Sequence, residues 1–392
     1  MAHMMPTYKP TSVVFERGAG MRLFAADGRG YLDFAAGIAT LALGHCHPET
    51  VAALKAQADK LWHTSNYFRI ARQEELAGKL CGASFAEKVF FTNSGTEAIE
   101  CSLKVARKYF SHIGQPERWR VIAAEGAFHG RSLAACAASG QPKMLDGFGP
   151  PTPGFDRVPF GDLAAAAAAV GAETAAILVE PVQGDGGIVP ATLDYLRGLR
   201  ALADRHGLLL ILDEIQCGMG RSGKLFAHEW AGIAPDVLAT AKGLGGGFPL
   251  GACLASERAA GGMTYGTHGS TFGGNPLAMA VGNAVVDVIL RPDFLPHVDR
   301  MARLLWHGLT EVAAAHPGVI REVRGAGLML GLVAAVPNDL LIEHLLANGL
   351  VTVAAAQNVV RLLPPLIVEE ADIAEALDIL RRTCQGLGRQ AA

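Results

Sequence analysis

Charge is scarce in this chain, and blocks of one sign are missing. Asp, Glu, Lys and Arg make up 18% of 392 residues, and the formal net charge is −3. No basic patch argues for nucleic acid, and no run of like charges reads as a tail. Long apolar runs are absent too. Each is shorter than a bilayer span and is broken by Gly, Asp or Glu, so no membrane segment is expected. The opening Met-Ala-His-Met-Met-Pro shows no apolar signal core. Cysteine numbers seven, an odd count without a Cys-x-x-Cys pair, which fits reduced thiols and a cytoplasmic location. His45, Cys46 and His47 form a cluster that nothing elsewhere completes, so a turn before a helix is expected there and no metal. There is no internal repeat and no linker long enough to free a module. What is plentiful is apolar residues, at 50%, and glycine, at 47 residues. The first allows a large core; the second gathers where backbone must come close to something.

Leu208-Leu-Leu-Ile-Leu-Asp213 is a continuous apolar run that stops at carboxylates, the pattern of a strand buried on both faces of a parallel sheet. Ligands of open α/β sheets sit beyond the carboxyl ends of the strands, where Asp213 would stand. A second run, Asp236-Val-Leu-Ala-Thr-Ala241, delivers a lone Lys242 into Gly-Leu-Gly-Gly-Gly247. An acid and a lysine at two neighbouring strand ends are either a salt bridge at the sheet rim or the working pair of a pyridoxal phosphate site. In the second case the lysine forms a Schiff base with the cofactor aldehyde. The acid keeps the pyridine nitrogen protonated, which makes the ring an electron sink.

The middle of the chain alternates strand and helix. Lys88-Val-Phe-Phe-Thr92 reads as a short strand, and Asn93-Ser94-Gly95-Thr96-Glu97 opens a helix at once. That turn is an ordinary cap or, because helix starts carry free N–H groups, a phosphate seat. It lacks the Walker lysine, so no nucleotide is indicated. Residues 120–124 form another strand, which runs towards Phe128-His-Gly-Arg131. There the ring packs in the core or stacks on a planar ligand, and Arg131 can fork onto a carboxylate. Ala176-Ile-Leu-Val-Glu180 repeats the strand that ends in an acid. In residues 192–206, Leu193, Leu196, Leu199 and Leu202 share one helix face, and Gly207 stops the helix. Such alternation means a mainly parallel sheet covered on both sides. Asp27-Gly28 marks a hairpin near the start, and Arg291-Pro-Asp293 a boundary before shorter strands and helices. The expected organisation is an N-terminal segment 1–50 belonging to a small domain, a large domain 51–290, and a C-terminal small α+β domain 291–392.

Six motifs stand in register: Thr92-Asn-Ser-Gly-Thr-Glu97, Phe128-His-Gly-Arg131, Glu180-Pro-x-Gln-Gly184, Asp213-Glu-x-Gln216, Lys242 with its glycines, and Gly269-Ser-Thr-Phe-Gly-Gly-Asn-Pro276. With them the chain resembles the class III aminotransferases of pyridoxal phosphate fold type I, from about residue 16 to the C-terminus. Leu32-Asp-Phe-Ala-Ala-Gly-Ile-Ala39, Ser102-Leu-Lys-Val-Ala-Arg-Lys-Tyr109 and residues 323–331 are most similar to the branch that acts on acetylated ornithine.

The resemblance implies an α/β fold like that of aspartate aminotransferase, a large domain with a mainly parallel seven-stranded sheet beside a smaller α+β domain. It implies that Lys242 is the Schiff-base lysine and then the base and acid of the proton shift. Asp213 would face the pyridine nitrogen, Gln216 the ring hydroxyl and Phe128 the ring. Ser94, Gly95 and Thr96 would hold the phosphate, with Thr271 reaching over from the second subunit of a homodimer with shared sites. Arg131 and Arg361 would grip substrate carboxylates, and Glu180, Asp185 and Ser270 are further candidates at the substrate. The implied reaction moves the terminal amino group of N2-acetyl-L-ornithine to 2-oxoglutarate. Relatives acting on ornithine, succinylornithine, succinyldiaminopimelate or 4-aminobutyrate, a semialdehyde mutase, and a non-catalytic cofactor-binding protein are the rival readings. One position departs from the family: Asp185 stands where glutamate is common. In ornithine-using relatives that glutamate pairs with the arginine matching Arg361 and hides it while the amine donor binds.

Overall fold

The computed structural model describes residues 3–390. The chain enters through an antiparallel meander of β1 (Phe15–Ala19), β2 (Arg22–Ala25) and β3 (Gly30–Asp33). Gly28, in the turn between β2 and β3, has φ 85°, where a side chain would strain the backbone.

The central sheet contains β4 (Lys88–Thr92), β5 (Arg120–Ala124), β6 (Phe155–Val158) and β7 (Thr174–Val179). A small ribbon of β8 (Val182–Gln183) and β9 (Val189–Pro190) intervenes before β10 (Leu209–Asp213), β11 (Val237–Thr240) and β12 (Gly251–Ala255) complete it. The spatial order is β4-β12-β11-β10-β7-β5-β6. β10 lies parallel between β7 and β11, and β5 lies parallel between β7 and β6. Only β12 is reversed, antiparallel to both β11 and β4.

The apolar run of β10 is explained by its two covers. Leu209 and Ile211 pack with Ile99, Leu103 and Phe110 of the helix Gly95–His112 on one face. Leu210 and Leu212 pack with Leu196, Leu199 and Leu202 of the helix Leu193–His206 on the other. Each such leucine contributes roughly 1.5–3 kcal/mol on leaving water. Thr192 caps the second helix by accepting from Tyr195 N, and Gly207 ends it at φ 62°.

Beyond the helix Phe294–Ala315 come β13 (Ile320–Ala326), β14 (Met329–Ala334), β15 (Leu350–Val351), β16 (Val353–Ala355) and β17 (Val359–Leu362). Four of these make an antiparallel sheet ordered β13-β14-β17-β16. β15 instead pairs in parallel with β3, so the entry meander and the C-terminal part share one core, which includes Leu32, Phe34, Leu305, Leu330, Leu362 and Leu380. Among the described residues no helix is long and apolar enough to cross a membrane.

Candidate active site

Because β10 and β11 are parallel neighbours, with Asp213 opposite Ala239, the acid at one strand end and Lys242 just past the other open into the same cleft. The cleft holds about 330 Å³ and is lined by both residues, by Phe128 and Gln216, and by the turn Asn93 to Thr96. Lys242 adopts φ 39°. Its ammonium group is pushed down to about 8. Burial is the main cause and the charge of Arg361 adds to it, against the pull of Asp213, Glu180 and Asp185. A lysine so placed is about one-tenth free amine at pH 7, far more than an ordinary lysine, and the free amine is the form that attacks a carbonyl.

Asp213 is 3% exposed. Its Oδ1 accepts from Ile215 N at 3.0 Å, and its Oδ2 lies 2.7 Å from Nδ1 of His129. His129 is buried, and its Nε2 finds no partner among the described residues. Burial opposes a charge on the ring, but the hydrogen bond and charge of Asp213, with the charge of Glu180, outweigh it and raise the pKa. Glu180 is pushed up to about 7, first by burial and then by the charge of Asp213. Its two oxygens accept from Phe128 N at 2.9 Å and Gly184 N at 3.2 Å. Glu180 therefore lines the cleft while tying the Phe128 segment to the segment that carries Asp185.

The helix start is closed by its N-cap Ser94 and by Glu97, which reaches back to the residue before the cap. Ser94 Oγ accepts from Glu97 N at 3.3 Å, and Glu97 Oε2 accepts from Asn93 N at 2.6 Å. The N–H groups of Gly95 and Thr96 are left without an acceptor among the described residues. Gly95 stands close to Ile215: an added Cβ would lie 2.9 Å from its Cδ1, so that side chain would have to shift. Phe128 is half-buried beside this turn, and Oε1 of Gln216 is buried without a partner. An aromatic aldehyde with a phosphate tail suits this donor set. Free helix N–H groups and dipole would meet the anion, the unpartnered amide oxygen could accept from a hydroxyl, and the carboxylate could pair with a protonated ring nitrogen.

Arg361 stands opposite Gly331 in the β14–β17 ladder, its side chain 4% exposed. Nη2 is 3.3 Å from Oδ1 of Asp185, while Nε and Nη1 are buried without partners among the described residues. Burial lowers its pKa, and Asp185 and Glu180 work in the other direction. Five of the residues singled out in the sequence do not line the cleft: Arg361 and Asp185, and with them Arg131, Ser270 and Thr271. Arg131 is exposed at the rim, its Cζ 5.6 Å from the Phe128 ring centre. Ser270 Oγ accepts from Gly273 N at 2.9 Å and from Asn93 Nδ2 at 3.3 Å. Thr271 is exposed. His129 was given no part by the sequence reading, although it sits inside the quoted motif beside Phe128. Phe248, in the stretch that follows the Lys242 glycines, lines the cleft too, and Thr40 does so without any signal in the sequence. Among the described residues no cluster of His, Cys, Asp and Glu could hold a metal.

The family model described as aminotransferase class-III matches residues 3–384. The acetylornithine aminotransferase of Mesorhizobium japonicum is 57% identical over 97% of this chain and 96% of its own length. That of Rhodobacter capsulatus is 54% identical over the whole of both chains. Among solved structures, N-acetylornithine aminotransferase from Stenotrophomonas maltophilia superposes with TM-score 0.85 at 40% identity, covering 97% of this chain and 98% of that one. The ornithine aminotransferase of Toxoplasma gondii, solved with partial occupancy of pyridoxal phosphate in its active site, superposes with TM-score 0.95 at 31% identity, covering 99% and 93%.

Proposed function

The chain belongs to the class III aminotransferase family, and on that premise we propose that it carries the terminal amino group of N2-acetyl-L-ornithine to 2-oxoglutarate. The products are N-acetyl-L-glutamate 5-semialdehyde and L-glutamate, a step of arginine biosynthesis, and the cofactor is pyridoxal 5'-phosphate. The observation that carries the reading is the convergence of Lys242, lowered to about 8, with Asp213, Phe128 and the open helix start in one cleft.

When bound, the cofactor supplies an aldehyde that joins to amines and a ring that draws off the electron pair left by a departing proton. Lys242 Nζ is the group that holds the aldehyde at rest and then moves a proton between substrate carbon and cofactor carbon. Asp213, oriented by its hydrogen bond with His129, would pair with the ring nitrogen. Gly95 and Thr96 N–H groups, with Ser94, hold the phosphate, and Gln216 meets the ring hydroxyl. Arg131 and Arg361 each take one carboxylate of 2-oxoglutarate. Asp185 covers Arg361 while a donor with a single carboxylate is bound. Glu180 and Ser270 position these groups through Phe128, Gly184 and Asn93.

The working unit we propose is a homodimer in the cytoplasm. Trp62, Tyr67, Phe68, Tyr265 and Phe272 are large, apolar and exposed. The two segments that bear them touch, His63 against Phe272 at 5.3 Å and Asn66 against the carbonyls of Ser270 and Gly273. A patch of that kind on a soluble enzyme asks for a cover. A second copy would also bring Thr271 to its neighbour's phosphate.

Mixing the cofactor-loaded enzyme with one amine donor at a time, with no oxo acid, tests the assignment. Fast loss of the bound cofactor's yellow absorbance with N-acetylornithine, slow loss with ornithine and 4-aminobutyrate, and glutamate release once 2-oxoglutarate is added are the expected results. Equal rates with ornithine would make the enzyme broad or ornithine-directed, and no response to any donor would point to another amine substrate or to a non-catalytic cofactor-binding protein.

A further inference from the structure

The loop that follows β10 is buried almost throughout, and near its far end stands Arg221, 2% exposed. A buried guanidinium ordinarily meets a carboxylate. Among the described residues none lies within ion-pair reach of this one, and burial alone acts on it, pushing its pKa down to about 9. Nη1 instead donates to two backbone carbonyls, that of Leu328 at 3.2 Å and that of Pro364. The carbonyl of Arg221 accepts from Leu328 N at 2.9 Å.

Those contacts have a common address. Leu328 leads into β14 and Pro364 follows β17, the two strands that pair at Gly331 and Arg361. One side chain thus grips the residue leading into β14 and one just past β17, the strand that carries Arg361, from a loop rooted at Asp213. Gly327 is shaped to the contact: at φ 59°, an added Cβ would lie 2.5 Å from the carbonyl carbon of Ser222 and 2.6 Å from the oxygen of Arg221. On the other side, Leu363 N donates to Phe34 O at 2.6 Å and Leu366 N to Ala42 O at 2.7 Å. An apolar residue would fill the space at Arg221 without the cost of burying a charge and leaving Nη2 unpartnered. What only a long two-carbonyl donor supplies is a fixed distance between loop and hairpin.

We infer that Arg221 is a positioning residue that sets the span between Arg361 and the Lys242–Asp213 end of the cleft, and thereby the length of oxo acid that fits. The inference rests on the reading of Arg361 as a carboxylate holder. Hydrogen bonds weaken steeply once distance and angle depart from their narrow optimum. An acid one carbon shorter or longer than 2-oxoglutarate cannot reach from Arg361 to Arg131, beside Phe128 at the Lys242–Asp213 end, across a fixed span, whereas a slack span would admit it.

The test uses Arg221→Met and Arg221→Lys in the cofactor-loaded enzyme. For Arg221→Met the KM for 2-oxoglutarate should rise at least about tenfold, with the affinity for glutarate, a non-reacting five-carbon diacid, falling as far. The preference for 2-oxoglutarate over oxaloacetate and 2-oxoadipate should shrink, while the rate with N-acetylornithine alone changes less than about threefold. Arg221→Lys, which keeps a donor, should recover part of the loss. An unchanged acceptor preference, or an equal loss in the donor half and in cofactor affinity, would overturn the positioning role. If Arg221→Met fails to fold, Gly327→Ala loosens the same contact from the opposite side and should give the same split. Arg361→Met separates the two readings. If glutarate affinity ignores Arg361, the carboxylate role fails; if Arg361→Met weakens it and Arg221→Met does not, the latch alone fails.

Discussion

Asp185 Oδ1 lies 3.3 Å from Nη2 of Arg361. Nη2 is the nitrogen common to both two-pronged edges of a guanidinium. A carboxylate that grips Arg361 with two parallel bonds must therefore displace Asp185 or share its nitrogen. Aspartate is one methylene shorter than the glutamate common in this family, and it still reaches. The contact is single, long and partly wet, the Asp185 side chain being 29% exposed. Such a pair is easily exchanged for a substrate carboxylate.

Asp185→Ala should therefore lower the KM for 2-oxoglutarate, by about three- to tenfold for one lost competitor at a partly exposed pair. The specificity constant for N-acetylornithine should fall in the same variant, because an uncovered Arg361 would draw the donor's only carboxylate to the wrong end. Steady-state kinetics with each substrate varied in turn checks both directions. A raised KM for 2-oxoglutarate would mean that Asp185 assists the acceptor.

Lys242→Ala should abolish turnover, by at least about a thousandfold, since the covalent and proton-transfer parts vanish together. The fold should survive. Burial depresses this lysine's pKa to about 8, so at pH 7 its protonation is resisted in the folded state and favoured in the unfolded one. Removing it should leave the cofactor-free protein melting no lower than its parent. Turnover within about tenfold of the parent would contradict the role.

The His129–Asp213 pair makes a stability prediction of opposite sign. The folded pKa of His129 is raised, burial being outweighed by the bond and charge of Asp213 and the charge of Glu180. Its contribution is complete below the ordinary histidine value of about 6.5 and is lost as pH climbs through the folded value. His129→Asn keeps a donor for Asp213 but cannot titrate. Melting temperatures of parent and variant, measured from pH 6 upward, should converge as the parent loses its advantage. Parallel curves would show that the imidazole does not change charge in this window.

The strand ends bearing Asp213 and Lys242 were legible because a strand covered on both faces has to be apolar at every position, as β10 is. β12 was not read as a strand. Gly251-Ala-Cys-Leu-Ala255 carries no β-branched residue and its glycine meets the Thr92–Ser94 turn, so it reads as a loop until β11 and β4 are seen on either side. His129 escaped for another reason. Its partner lies 84 residues away, and only the alignment of β5, β7 and β10 brings the two strand ends together. Arg221, between glycines and a serine, has the appearance of a turn. Its carbonyl partners on Leu328 and Pro364 are backbone groups, which no side-chain pattern announces.

Lys242 offers the most direct check of the cleft's electrostatics. An undisturbed lysine, with a pKa of about 10.4, would gain free amine about tenfold per pH unit throughout the range from 7 to 9. With the pKa at about 8, the free-amine fraction passes one half there and then flattens. The rate at which cofactor-free enzyme recaptures pyridoxal phosphate should therefore bend near pH 8. The charge of Arg361 is one of the forces that lowers the lysine, so Arg361→Met should move the bend to higher pH. A straight tenfold rise per unit beyond pH 9 would show that burial does not depress Lys242. A bend that ignores Arg361→Met would place the two cations too far apart to feel one another, and with them the two ends of the cleft.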